Sequence, residues 1–173
     1  RYEIVSGHRR KKACELAGFD TVKAEVREMT RDEAIILMVE SNLQRSVILP
    51  SEKAFSYKMR LEAMKRQAGR PAQDNYSPLG NNYLGTKSSD EMAAEVGESK
   101  NTIFRYIRLT ELIPELLDLV DEGRIAFRPA VELSYLQKEE QRALLEQIAY
   151  ADATPSLAQA IKLKRFSQDG KLN

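Results

Sequence analysis

Residues 89–109 read SDEMAAEVGESKNTIFRYIRL, and the spacing within them decides how the surrounding chain is read. Ala93 falls mid-way along a first predicted helix (89–96), where close helix–helix contact tolerates only a small side chain. Gly97, four residues later, suits a left-handed turn that other residues resist. Ile103, six beyond, anchors a second predicted helix (100–109), with Met92, Val96, Ile107 and Leu109 completing the apolar contacts. Ser99 is placed to cap that second helix. Two helices joined in this way form a helix-turn-helix, whose second helix enters the major groove of DNA. The side chains expected to face DNA are Ser99, Lys100, Asn101, Thr102, Arg105, Tyr106 and Arg108. Asn can read adenine, and Arg or Lys guanine, by paired hydrogen bonds. A plain helical hairpin with a charged outer face is the alternative. The joint placing of Ala, Gly and Ile, with no proline inside either helix, favours the DNA-reading motif.

Beyond this motif the chain reads as helical, over about 114–122, 129–136, 138–150 and 155–167. Pro114, Pro129 and Pro155 each suit a first helical turn, Thr154 is a candidate N-cap and Gly123 a helix stop. Before it, 68–88 holds Gly69, Pro71, Pro78, Gly80 and Gly85 and reads as a loop or linker. A helix over 50–67 precedes that loop, its apolar side carrying Ala54, Tyr57, Met59, Leu61 and Met64. Thr30 and Glu33 make a capping box that opens a helix to about Asn42. Residues 2–5 and 21–28 predict strands, the second alternating Val22, Ala24 and Val26 with polar residues. Between them a helix runs from Gly7 to about Leu16, with Gly18 as its stop and Cys14 as inert core.

An apolar content of 42% with 31% charged residues excludes a disordered chain. Lys+Arg (27) nearly balance Asp+Glu (26), so the placement of charge carries the information. One basic cluster is Arg9, Arg10, Lys11 and Lys12; a second is Lys53, Lys58, Arg60, Lys65, Arg66 and Arg70. Each is either a solvated helix face or a phosphate-contacting surface. Glu111, Glu115, Asp118, Asp121 and Glu122 form an acidic stretch. A single Cys and a single His exclude a disulfide framework and a Cys/His zinc site. Without a membrane-span-length apolar run or a signal peptide, the expected setting is cytoplasmic. The chain opens at Arg1 inside an expected strand, which suggests a fragment.

Two further motifs resemble those of the ParB family of DNA-partition proteins. Tyr2-Glu3-Ile4-Val5-Ser6-Gly7-His8-Arg9-Arg10 resembles the family's Gly-Glu-Arg-Arg segment, and Asn42-Leu43-Gln44-Arg45 its Glu-Asn-x-x-Arg motif. Leu49-Pro50-Ser51-Glu52-Lys53-Ala54 matches the proline-opened helix that follows, and the helix-turn-helix lies where the family carries it. Taken in order, the motifs look most like partition proteins of plasmids and mobile elements. The resemblance implies an α+β, mainly α chain: part of a ParB/sulfiredoxin-like CTP-binding domain (1–49), a connecting helix (50–67), the linker (68–88), and an all-α helix-turn-helix domain (89–173). It implies CTP and Mg²⁺ as ligands, with Ser6, Gly7, Arg9, Arg10, Asn42 and Arg45 at the nucleotide and Asn42 at the metal. It also implies a CTP-switched clamp on centromere-like double-stranded DNA, homodimeric in the intact protein. A ParA-type ATPase would be met through a segment outside this fragment. Glycine at a helix start and two guanidiniums suit phosphate oxygens on chemical grounds as well.

His8 and Ser41 stand where the family's two motifs carry acids, so CTP hydrolysis is expected to be slow or absent. An alternative function is a transcription or nucleoid-occlusion regulator on the same fold. A nuclease or other enzyme of that fold is disfavoured, since no carboxylate or histidine cluster surrounds the motifs and Cys14 lies within its helix.

Overall fold

The computed structural model describes residues 2–43, 47–67 and 87–172. Among them are nine helices: α1 (His8–Leu16), α2 (Arg31–Leu43), α3 (Pro50–Gln67), α4 (Lys87–Val96), α5 (Lys100–Leu109), α6 (Pro114–Asp121), α7 (Phe127–Leu133), α8 (Lys138–Ala151) and α9 (Leu157–Gln168). The expected linker lies almost wholly outside the described residues.

Local chemistry sets most of the boundaries. Gly7 (φ +95°) and Gly18 (φ +77°) bracket α1. At α2, Glu33 accepts from the Thr30 N–H at 2.6 Å while Thr30 Oγ1 accepts from the Glu33 N–H at 3.3 Å, so the capping box is present. The Thr30 N–H, and with it the Thr30 hydroxyl donating at 2.9 Å, favour the ionised carboxylate and lower the Glu33 pKa. Pro114 opens α6, and Gly123 (φ +75°) ends it, with the Arg124 N–H returning to the Leu119 carbonyl. Pro129 falls in the first turn of α7, at its third position, whereas Pro155 precedes the cap of α9 and lies outside that helix.

The cap of the last helix is Ser156, not Thr154. Ser156 and Gln159 form a reciprocal capping box there. Thr154 instead donates to the Arg124 carbonyl at 2.9 Å and ties the preceding turn to the end of α6.

Two apolar cores meet along α3. The larger joins Ala54 to Leu109, Leu116, Ile125, Leu133, Ile148 and their neighbours on α5 to α9. The smaller joins Tyr57 and Leu61 to Met92, Ile103 and Ile107 of the helix-turn-helix. Each fully buried Leu or Ile here contributes about 1.5–3 kcal/mol. Buried Gln141 fastens the turn into α6: its Oε1 accepts from the Ile113 N–H at 2.8 Å, and its Nε2 donates to the Glu111 and Leu136 carbonyls. Asp121, from the acidic stretch, reaches across to cap α3 by accepting from both the N–H and the hydroxyl of Ser51.

Several expectations change. Residues 2–5 and 21–28 form no ladder among the described residues. A strand exists only through a partner's backbone groups, and Val22 and Val26 stand exposed with no layer over them. Cys14 is half-buried on a helix with no buried side chain, so it is not core. Met59 faces outward, and Arg60 takes the inward position beside it. The second basic cluster is largely neutralised by neighbouring helices: Lys53 pairs with Glu98, Lys58 with Glu111, Arg60 with Glu40 and Glu95, and Arg66 with Asp32. Arg70 lies outside the described residues.

Candidate nucleic-acid interface

Helices α4 and α5 meet at Gly97, whose φ of +71° puts it in the left-handed region. The Gly97 N–H closes the end of α4 on the Ala93 carbonyl at 3.1 Å. Ser99 then caps α5, its Oγ accepting from the Thr102 N–H at 3.1 Å and lying 2.8 Å from the Thr102 hydroxyl. Met92 and Ile103 lock the helices from beneath, at 0% and 2% exposure. The cap, the turn and the anchor sit where the spacing predicted them.

The seven residues expected at DNA divide by direction. Ser99, Asn101 and Arg105 are exposed, and neither Asn101 nor Arg105 has a partner among the described residues. Lys100 folds back onto Asp90 of α4, and half-buried Thr102 is engaged with Ser99. Tyr106 and Arg108 turn inward. The Tyr106 ring packs edge-on against Tyr57 (5.8 Å) and tilted against Phe127 (4.5 Å), and the Lys53 ammonium lies 4.6 Å from its centroid. Arg108 donates from Nη2 to the Ser134 carbonyl at 2.8 Å and from Nε to the Ser134 hydroxyl at 3.2 Å, while stacking 4.1 Å from the Tyr135 ring. Burial lowers the Arg108 pKa and Tyr135 opposes it; the guanidinium stays charged.

Lys53 secures the turn from below through Glu98. Burial works to lower its pKa, but the bond to Glu98 and the nearby Tyr57 and Tyr106 rings outweigh burial and raise it. The Tyr57 hydroxyl is buried beside this pair without a well-formed hydrogen bond among the described residues.

At the other end of the chain, Ser6 and Ser41 hydroxyls meet at 2.7 Å, bringing the segment before α1 onto the end of α2. Gly7 gives α1 no side-chain cap, so the first N–H groups of that helix are open. Arg9 and Arg10 are exposed without a partner among the described residues, whereas Lys11 and Lys12 pair with Glu15 and lower its pKa. Asn42 follows Ser41 and is half-buried; Arg45 lies outside the described residues. These open donors suit a polyphosphate chemically. The motif positions His8, Ser41 and Asn42 offer Mg²⁺ no carboxylate, and the adjacent Glu40 is bonded to Arg60 at 2.9 Å. A separate open cleft of about 430 Å³ lies beside α2, lined by Arg27, Glu28, Met29, Glu33, Ile36 and neighbours. None of the five nucleotide candidates among the described residues (Ser6, Gly7, Arg9, Arg10 and Asn42) lines it.

Sequence reasoning placed Arg60 only in a basic cluster and missed its inward position and its two acids. The available signal was one charged residue on the stripe of α3 that also carries Tyr57 and Met64.

Residues 1–43 match the ParB N-terminal domain, and residues 76–161 match the ParB HTH domain. The chain is 30% identical over 161 residues to the chromosome-partitioning protein Spo0J of Thermus thermophilus, covering 93% of this chain and 52% of that protein. It is 27% identical over 148 residues to the nucleoid occlusion protein of Oceanobacillus iheyensis, covering 85% and 44%. The chain thus spans about half the length of these relatives. Among solved structures it is similar to the C-terminally truncated chromosome-partitioning protein ParB from Caulobacter crescentus, complexed to the centromeric parS site. The TM-score is 0.50 at 21% identity, covering 98% of this chain and 75% of the other, a likeness of fold. No helix among the described residues is long and apolar enough to cross a membrane.

Proposed function

Because the chain belongs to the ParB family, we propose that it binds a centromere-like duplex site-specifically through α5 and serves DNA segregation, with CTP as the switching ligand. The observation that carries the DNA reading is the division along α5. Asn101 and Arg105 face outward without a partner among the described residues, while Lys100, Thr102, Tyr106 and Arg108 are committed to an ion pair, the cap and packing. Those two can offer paired hydrogen bonds to adenine and guanine edges. Ser99 and the adjoining N–H groups at the helix start are suited to phosphate.

The test compares specific with non-specific duplex affinity in the intact protein. Asn101→Ala and Arg105→Ala should each lose about 1–3 kcal/mol for the cognate site and little for random DNA. Equal losses on both would make them phosphate contacts and overturn the base-reading assignment.

The nucleotide part rests on Gly7, Arg9 and Arg10 beside the Ser6–Ser41 contact. Arg9→Ala and Arg10→Ala should abolish CTP binding in calorimetric titration while DNA binding persists; unchanged CTP affinity in both variants removes the pocket. Hydrolysis is expected to be slow, because Glu40 is held by Arg60 and His8 and Ser41 supply no carboxylate. A general base commonly contributes about 10²–10⁴-fold in rate. Homodimer assembly, contact with a ParA-type ATPase and a plasmid or mobile-element replicon belong to the same proposal; the partition relatives named above are chromosomal. A nucleoid-occlusion role is the second reading, supported by the Oceanobacillus relative. A ParA-type gene beside this one would favour segregation.

A further inference from the structure

We infer that Arg60 is a positioning residue that couples the DNA-reading motif to the candidate nucleotide end of α2. It rests on the reading above for the identity of the two ends, but its geometry stands on its own.

Arg60 lies mid-way along α3, and its side chain is 4% exposed. A single amino group, Nη2, serves two acids from two other helices: Glu40 of α2 at 2.9 Å, and Glu95 of α4. Its Nε is buried without a partner among the described residues. Both carboxylates are half in solvent, at 42% and 56% exposure, so the buried member of the triad is the shared cation.

The positions of those acids give the triad its meaning. Glu40 directly precedes Ser41, whose hydroxyl touches Ser6 next to Gly7. Glu95 lies two residues before Gly97, the turn of the helix-turn-helix. A guanidinium is planar and rigid, and Nη2 has one hydrogen for each acid. Drawing it toward one carboxylate degrades its geometry to the other. Leu61 and Tyr57, buried on either side of Arg60 in α3, restrict the side chain from moving away from both. A displacement of α4 on DNA is therefore felt at the end of α2, and the coupling is reciprocal.

The test reads one end while perturbing the other. Amide hydrogen exchange of α2 is followed in the full chain with and without a duplex carrying the parS site, for wild type and Glu95→Gln. Glu95→Gln keeps the shape and removes the charge from an exposed carboxylate. Wild-type α2 exchange should change several-fold on adding DNA, and the change should fall by at least half in Glu95→Gln when that variant is saturated with duplex. Glu40→Gln provides the converse arm, altering parS affinity although Glu40 is remote from α5 in sequence. No wild-type response, or a full response in Glu95→Gln with unchanged parS affinity in Glu40→Gln, overturns the coupling. A parallel CTP titration separates the two ideas. Wild type failing to bind CTP sinks the nucleotide reading, whereas the exchange experiment contains no nucleotide and still decides the role of Arg60.

Discussion

Arg108→Ala should destabilise the protein without a direct loss of DNA contact, the opposite of what its place three residues after Arg105 suggests. The substitution removes the donors to the Ser134 carbonyl and hydroxyl, and the stack on Tyr135. Ser134 is 2% exposed, so its carbonyl loses its side-chain partner where water cannot readily replace it, at about 1–3 kcal/mol. The Ser134 hydroxyl keeps its own bond to the Val131 carbonyl at 2.7 Å and adds little to the loss. The cation–π contact contributes about 0.5–2 kcal/mol in a partly desolvated setting. The expected total is about 2–4 kcal/mol, or a Tm drop of about 5–15 °C for a chain of this size. Urea denaturation measures the loss, and duplex binding is compared well below the transition, where both proteins are folded. Arg105→Ala is the paired control: stability within about 0.5 kcal/mol, specific affinity reduced about 5–150-fold. An Arg108→Ala protein of wild-type stability that failed to bind its site would refute the inward assignment.

Gly97→Ala should cost about 1–2 kcal/mol by urea denaturation, because φ is +71° while no atom lies within 4 Å of an added Cβ. Gly97→Asn should cost less, and a loss above about 3 kcal/mol for Ala would reveal a clash rather than backbone strain. Tyr57→Phe should be near neutral at pH 7, since the buried hydroxyl lies beside Lys53 and Glu98 without making a well-formed hydrogen bond among the described residues. Burial chiefly, with Glu98 assisting and Lys53 opposing, pushes the Tyr57 pKa from 10.0 up to about 12. The associated stability is complete below pH 10 and is lost as pH rises toward 12, at up to about 1.4 kcal/mol per pH unit. Tyr57→Phe should flatten that alkaline slope in a denaturation series, and an unchanged slope would assign it to other groups.

What could be read in the sequence was local. Ala93, Gly97 and Ile103 announce the motif because turn geometry and a tight helix contact restrict each position to a few residue types. Thr30 with Glu33, and Ser99, announce helix starts because a cap acts within three residues. The strand patterns at 2–5 and 21–28 were equally visible, but a strand is completed only by a partner that local pattern does not specify.

Along α5 the sequence determined that a helix forms, where it starts and which residues anchor it; it left open which polar residues remain free. Arg105 and Arg108 are three apart, a spacing that makes helix neighbours. The difference between them comes from α7, whose end brings Ser134 and Tyr135 to Arg108 but not to Arg105. Arg60 is decided in the same way, by acids 20 residues before it and 35 after it. Capping and turn preferences are intrinsic to a few consecutive residues, so the chain carries them in any fold. The partner of a long cation is set by which helices are packed around it, and only the tertiary structure supplies that.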